Sequence, residues 1–235
     1  MRKKACIIYL LCLALCLYFP FKTSHAGVGG MDMEQDDTQV IDFQGFFSPD
    51  HNAVNLYRTL KFDAYKMSGT EEHRKKAEAK LSSGKPAAFF LEGTRKIDKR
   101  LTVLVVGMMY CPDCAAIYPY VQAMEAANPF IRVRYIVRDS APEVMDFLSS
   151  RTERTNVPSI FIVRPGKKMG NRRGEILNGA YVETPSRVTA LLDAAKSDEE
   201  RKVIWDDFHS GVYDEDIQRD LLDLILNAWD QRNAE

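Results

Sequence analysis

The 235-residue chain balances 32 Lys and Arg against 33 Asp and Glu, and 46% of its residues are hydrophobic. With charges so balanced and no long Lys/Arg run, nucleic acid is not an expected partner. The apolar share and the length suit one domain with additions, large enough to bury a real core.

The chain begins with a targeting signature. Arg2, Lys3 and Lys4 form a basic start, Ala5 to Phe19 is an apolar run too short for a membrane span, and Ser24-His25-Ala26 fits a small-x-small cleavage site. Residues 1–26 are therefore expected to be a signal peptide cut after Ala26; the alternative is an anchor that is kept. The segment holds four basic residues (Arg2, Lys3, Lys4, Lys22) and no acidic one, so the mature chain would carry 28 against 33. It also takes Cys6, Cys12 and Cys16 with it, leaving Cys111 and Cys114. A periplasmic location is expected, a compartment where disulfides persist. Two cysteines so close in sequence close a tiny loop, worth under roughly 2 kcal/mol as a staple. They are better placed as a redox pair.

Residues 27–39 are Gly-rich and then acidic, a composition expected of a flexible leader. Residues 40–86 are expected to be an N-terminal helical extension. Ser48-Pro49-Asp50 would start one helix carrying Val54, Tyr57, Lys61 and Tyr65, and Thr70 would cap a second that ends near Gly84. From residue 87 strands and helices alternate. Ala87 to Leu91 reads as a short strand and Leu101 to Met109 as a strand apolar on both faces. Cys111 to Ala127 reads as a helix, Ile131 to Val137 as a strand with one wet face. Ser140-Ala141-Pro142-Glu143 reads as a capping box opening a helix that buries Val144, Phe147 and Leu148. Val157 to Val163 is a strand with Pro158 at its start. After Pro165-Gly166 a basic loop, Lys167 to Arg173, leads to a strand near Glu175 to Asn178, and Thr184-Pro185 starts a helix. Residues 197–235 are expected to be a C-terminal helical extension. A capping box spans Ser197 to Glu200, Gly211 is a stop, and Asp214 caps a last helix. Trp205 and Trp229 are expected to pack it onto the sheet.

The chemistry is concentrated where the buried strand gives way to a helix, at Cys111-Pro112-Asp113-Cys114. A helix start offers unpaired N–H groups and about half a positive charge, which can draw a thiol pKa from about 8.5 towards about 3.5–7.5. The thiolate is the nucleophile of disulfide exchange. Competing readings of C-x-x-C fit less well. Ala115 stands where c-type haem attachment needs histidine, and a structural zinc site needs about four ligands, whereas His51, His73 and His209 are isolated in sequence and read as surface or packing residues. Met108 and Met109 beside the thiols keep a Cu(I) site open as an alternative.

Residues 87–196 resemble the thioredoxin family. The resemblance rests on Cys111-Pro112-Asp113-Cys114 with Tyr110 before it, on Pro119 five residues after the second cysteine, on Val157-Pro158-Ser159, and on Gly166 and Gly179. It implies an α/β thioredoxin-like fold, a central mixed sheet flanked by helices, with a cis-proline loop facing the cysteines. It implies that Cys111 attacks and Cys114 resolves, with Tyr110, Pro112, Asp113, Val157 and Pro158 meeting the substrate. Two positions depart from the family. Val105 stands where thioredoxin has the buried aspartate that assists the second cysteine, so water or Asp113 would have to take that proton. Pro112-Asp113 replaces Gly-Pro; the Asp113 carboxylate opposes a neighbouring thiolate, or serves only as a good first-turn residue.

The implied function is that of an exported thiol–disulfide oxidoreductase acting on protein thiols and disulfides. The reductase direction is favoured, because no large helical insertion separates the motif from Pro158. The protein is expected to be a monomer needing no cofactor or metal, with a membrane thiol electron donor. The alternatives are a Cu(I)-delivery protein using Cys111, Cys114 and a nearby methionine, and a redox-inert interaction module.

Overall fold

In the computed structural model the described residues are 44–166, 173–177 and 179–233. The expected signal peptide, the segment 27–39, residues 167–172 of the basic loop and Asn178 lie outside them. Along the chain run β1 (Ala53–Asn55), α1 (Phe62–Lys66), α2 (Glu71–Ser83), α3 (Ala88–Arg95), β2 (Leu101–Gly107), α4 (Pro112–Ala127), β3 (Ile131–Val137), α5 (Pro142–Thr152), β4 (Ser159–Pro165), β5 (Arg173–Ile176), β6 (Tyr181–Val182), α6 (Ser186–Ala194), α7 (Asp198–Ser210) and α8 (Asp214–Asn233).

Every residue of β2 is buried, as an aliphatic run with no polar face requires of a central strand. It pairs in parallel with β3, Val103 opposite Val133, and antiparallel with β4, Val103 opposite Ile162. The parallel partner is reached through α4, the crossover helix that such a pair needs. On the far side of β4, β5 pairs with its C-terminal half and β6 with its N-terminal half. Those two short strands are successive partners of β4 on one side, and Gly179 between them takes φ +93°. β1 lies outside β5, giving the order β1-β5-β4-β2-β3.

The alternating burial of β3 is the one-wet-face pattern expected of it. The helix over Glu71–Ser83 also forms as expected, with Thr70 Oγ1 accepting the backbone N–H of His73. Its end approaches α4 closely: a Cβ on Gly84 would lie 2.3 Å from Pro119 Cβ, so only glycine lets the two helices meet there. At the C-terminal end of the chain, α8 buries Ile217, Leu221, Ile225 and Ala228. Gln218 Oε1 accepts Ala87 N at 2.6 Å, tying α8 to the start of α3. Trp229 Nε1 donates to Asp98 Oδ1 at 3.0 Å, a packing role of the kind expected.

Four local expectations are corrected. Ser48-Pro49-Asp50 starts no helix. Residues 46–55 fold back on themselves instead, with Phe47 bridged to Val54, and Ser48 Oγ accepting Ala53 N at 2.9 Å. Ala87–Leu91 is not a strand but the beginning of α3. Phe90, Gly93, Thr94 and Ile97 recur at helical spacing and are buried, a period that a five-residue apolar window could not reveal. Ser140 caps nothing: the N-cap of α5 is Ala141, and Glu143 accepts the backbone N–H of Phe46 instead. Asp214 is the first residue of α8 rather than its cap. The helix over residues 198–210 does start on Ser197, whose Oγ accepts Glu200 N at 3.1 Å, but Glu200 reaches back to Lys196 N rather than completing the box.

Candidate functional site

Cys111 is the N-cap of α4, with Pro112 in the first helical position, where its missing N–H costs nothing. The backbone there is extended, so the chain turns from β2 into the helix at the cysteine itself. Cys111 Sγ accepts the backbone N–H of Cys114 at 3.4 Å, doing the work a serine or aspartate does at other helix starts. Cys111 is half-buried and Cys114 wholly buried, and both are free thiols.

The Cys111 thiol is held below its ordinary pKa. The largest cause is a hydrogen bond from the Cys114 thiol; burial opposes it, the backbone N–H groups of Cys114 and Asp113 support it, and the Asp113 carboxylate opposes it. Burial pushes the Cys114 thiol well up, and the neighbouring Cys111 adds to that. The two cysteines thus divide into a reachable thiolate and a protected thiol. In the folded protein, iodoacetamide should modify Cys111 with a pH midpoint below that of an unperturbed thiol, about 8.5, while sparing Cys114. Because an acid with a lowered pKa ionises earlier as pH rises, a midpoint at or above that value, read by mass spectrometry across pH, would contradict the assignment.

The Val157–Pro158 peptide is cis and its loop faces the pair. Cys111 Sγ lies 3.5 Å from Val157 O, close enough for the thiol to donate to it. Val157 and Pro158 are both buried, and Pro158 O accepts the backbone N–H of Glu183 at 2.7 Å. Tyr110 and Pro112 are exposed; Tyr110 Oη donates to Met108 Sδ at 3.4 Å. Met108 and Met109 are buried at the end of the strand. Among the described residues no group of three or more His, Cys, Asp and Glu is arranged to hold a metal ion.

Beneath Cys114, Val105 is buried at the position where the family aspartate was missing from the sequence. Two phenols are packed close to the sulfur. Tyr65 Oη and Tyr118 Oη are 3.0 Å apart, Tyr118 Oη donates to Met108 O at 3.4 Å, and Met108 N donates to Cys114 Sγ at 3.5 Å. A Cβ on Gly107 would lie 2.9 Å from Tyr65 Oη and 3.2 Å from Cys114 Sγ, so the strand must end in glycine for phenol and thiol to come this near. Burial raises both phenols well above their usual range. They are neutral groups that cannot take the proton of Cys114, and their hydroxyl hydrogens go to each other and to Met108 O.

The carboxylate beside the pair is that of Asp113. Its Oδ2 is 4.0 Å from Cys111 Sγ, and its Oδ1 is 2.6 Å from Nε2 of His209, which comes from the last turn of α7. Trp205, one turn earlier, stacks on the His209 ring at 5.6 Å and 19°, and Lys80 Nζ of α2 donates to the His209 carbonyl. Sequence reasoning missed His209: 96 positions separate it from Asp113, and no local pattern marks it. His51 and His73 behave as expected of packing and surface residues. His51 Nδ1 meets Ser150 Oγ at 2.8 Å, and His73 Nδ1 accepts Thr70 N at 3.4 Å. His73 nevertheless lies 5.9 Å from the Tyr110 ring, and both border a cleft of ≈ 610 Å³ beside Cys111 that α2, α4 and His209 enclose.

A family model described as thioredoxin matches residues 59–196, more than half of the chain. The match begins ahead of residue 87, where the sequence resemblance began, and so takes in α1 and α2. The crystal structure of a protein of unknown function from Pseudomonas aeruginosa is similar with a TM-score of 0.56 at 23% identity, over 74% of this chain and 96% of its own. That of an HIV epitope-scaffold is similar with a TM-score of 0.55 at 22% identity, over 73% and 95%. At those identities the likeness is one of fold. No curated protein matches the chain.

Proposed function

The chain belongs to the thioredoxin family, and on that premise we propose that it is an exported thiol–disulfide oxidoreductase working through Cys111 and Cys114. One observation carries the reading: the half-exposed Cys111 sits at the start of α4 with its thiol held low, above a wholly buried Cys114 and against the Val157 carbonyl. An attacking sulfur, a resolving sulfur and an extended loop lie within contact of one another.

In the reductase direction, the Cys111 thiolate attacks one sulfur of a substrate disulfide. That bond breaks, a mixed disulfide forms, and the first substrate thiolate leaves to take up a proton. Cys114 then gives up its proton and attacks Cys111 Sγ, releasing the second substrate thiol. Two electrons have passed to the substrate, and the pair has become a disulfide. A thiol donor on the membrane would return it to the dithiol. Tyr110, Pro112 and Asp113 border the attacking sulfur, and the backbone of Val157, next to Pro158 with its missing N–H, is where an extended substrate segment can pair. The basic, apolar-cored leader supports the periplasm as the place of work.

Equilibration with glutathione over a range of ratios tests the reading. The Cys111–Cys114 disulfide should form and reopen reversibly, with a potential nearer about −270 mV than about −120 mV. A potential at the oxidising end would reverse the direction, and a pair that never exchanges would remove the activity altogether.

A further inference from the structure

The C-terminal helix α7 lies against the cysteine pair, and the contact it makes there is with the residue between the two sulfurs. We propose that His209 is a positioning residue for the redox pair. By donating Nε2–H to Asp113 it offsets the carboxylate that stands beside Cys111, so that the attacking sulfur carries its negative charge more readily.

The geometry divides the carboxylate. Oδ1 is engaged by His209 at 2.6 Å and Oδ2 faces Cys111 Sγ at 4.0 Å. An ionised carboxylate only accepts hydrogen bonds, so the Nε2 that meets it carries the hydrogen. Only 14% of the Asp113 side chain is exposed, against 34% for His209, so water screens the carboxylate poorly and a fixed donor matters more. The imidazole stacks on Trp205 and lies against the buried Phe208 ring at 5.3 Å, and Lys80 from α2 fixes the His209 backbone by donating to its carbonyl. The helix stops two residues later at Gly211, whose φ of +98° and backbone N–H to Asp207 and Phe208 close it, so His209 stands in a capped last turn.

The other groups facing the pair are few. From α2 they are His73, Lys76 and Lys80, which border the same cleft. From α4 they are the two thiols and Tyr118, from α1 Tyr65, and just after β3 Arg138, which is paired with Asp139. From β6 comes Tyr181, whose hydroxyl has no hydrogen-bond partner among the described residues and which burial, with Asp220 and then Asp113 adding to it, holds neutral. The α2 cations border the cleft and Arg138 is paired with Asp139, while His209 is the group bonded to the Asp113 carboxylate.

The inference rests on the oxidoreductase reading for its purpose, but its measurement needs no substrate. The test is a double-mutant cycle read by the pH profile of Cys111 alkylation and by the glutathione equilibrium. His209→Ala should slow alkylation at neutral pH by about 3–10-fold through a higher midpoint. It should move the dithiol–disulfide equilibrium the same way, by up to tenfold towards the disulfide, or about 30 mV more negative. In an Asp113→Asn background, His209→Ala should change neither readout, and His209→Gln, which keeps an N–H donor, should recover most of the loss.

An equal effect of His209→Ala with and without Asp113 would overturn the proposal, since it would mean that His209 only packs α7 in place. So would an unchanged alkylation profile. Should His209→Ala unfold the helix, seen as lost circular dichroism, the same cycle run with His209→Phe, which keeps a ring against Trp205 and has no N–H donor, still decides: an effect present with Asp113 and lost in the Asp113→Asn background upholds the coupling, and an equal effect in both, or none, overturns it. A pair that fails to exchange with glutathione in the wild type would sink the oxidoreductase reading alone, leaving the alkylation cycle to stand or fall separately.

Discussion

Replacing Cys111 by serine should bring insulin reduction in dithiothreitol down to the rate of dithiothreitol alone. The serine hydroxyl is not ionised near neutrality and is a poor nucleophile towards disulfide sulfur. Everything else at the site stays: the start of α4, the Val157 carbonyl and the buried Cys114. The catalysed component should therefore fall by more than about 10³-fold, the scale on which removing an attacking group acts in other covalent catalysts. Cys114→Ser should behave differently. Cys111 still attacks, but nothing resolves the product, so the protein should accumulate as a mixed disulfide visible on a non-reducing gel. Cys114 is too deeply buried to attack in its neighbour's place. If the Cys111→Ser protein still accelerated insulin reduction, or if Cys114→Ser trapped nothing, the division of labour between the two sulfurs would be wrong.

Phe147→Ala should be the most damaging substitution away from the cysteines. Phe147 is wholly buried on α5; it stacks on Phe47 at 3.8 Å and 6°, meets Phe161 of β4 edge-on at 4.9 Å, and takes the edge of His51. One ring therefore joins three parts of the chain: the fold-back over residues 46–55, the helix, and the strand beneath. Truncating a buried phenylalanine costs about 3–5 kcal/mol, here a fall in melting temperature of roughly 6–20 °C. The alkylation profile of Cys111 should survive in whatever fraction stays folded, because the contacts to Cys111 come from other residues. A loss below about 1 kcal/mol, by chemical denaturation, would mean that the stack does not hold residues 46–55 to the sheet.

The parts of this architecture that sequence could reveal are those whose physics is local. The aliphatic run of β2, the alternation of β3, the Thr70 cap and the proline after Cys111 each state their structure within a few residues. The same is true of the cysteine pair, whose spacing and place at a strand–helix junction announce the chemistry. What escaped was decided at a distance. Val54, Tyr57, Lys61 and Tyr65 fall at helical spacing, yet Val54 is drawn into β1 by pairing with Gly174, over a hundred residues on. Phe90, Gly93 and Thr94 belong to one buried face of α3, but the short apolar run around Ala87 reads equally as a strand. His209 is invisible for the same reason: its role comes from α7 docking beside α4. The net effect of Asp113 on Cys111 was likewise undecidable, because the largest influence, the hydrogen bond from the Cys114 thiol, depends on the turn that brings the two sulfurs together.

The passage from Phe46 to Leu60 has a consequence for the whole sheet. β1 occupies the free side of β5, with Ala53 opposite Glu175, and the chain around Phe47 covers β1 in turn. A few residues later Leu60 exchanges both backbone hydrogen bonds with Tyr135, on the free side of β3. A single girdle of about fifteen residues thus takes up part of both margins of the sheet, along β5 and at Tyr135 of β3, where a foreign strand could otherwise add itself. For a protein whose work would bring it against loosely folded chains, such a girdle keeps encounters at the sulfurs and away from the rims.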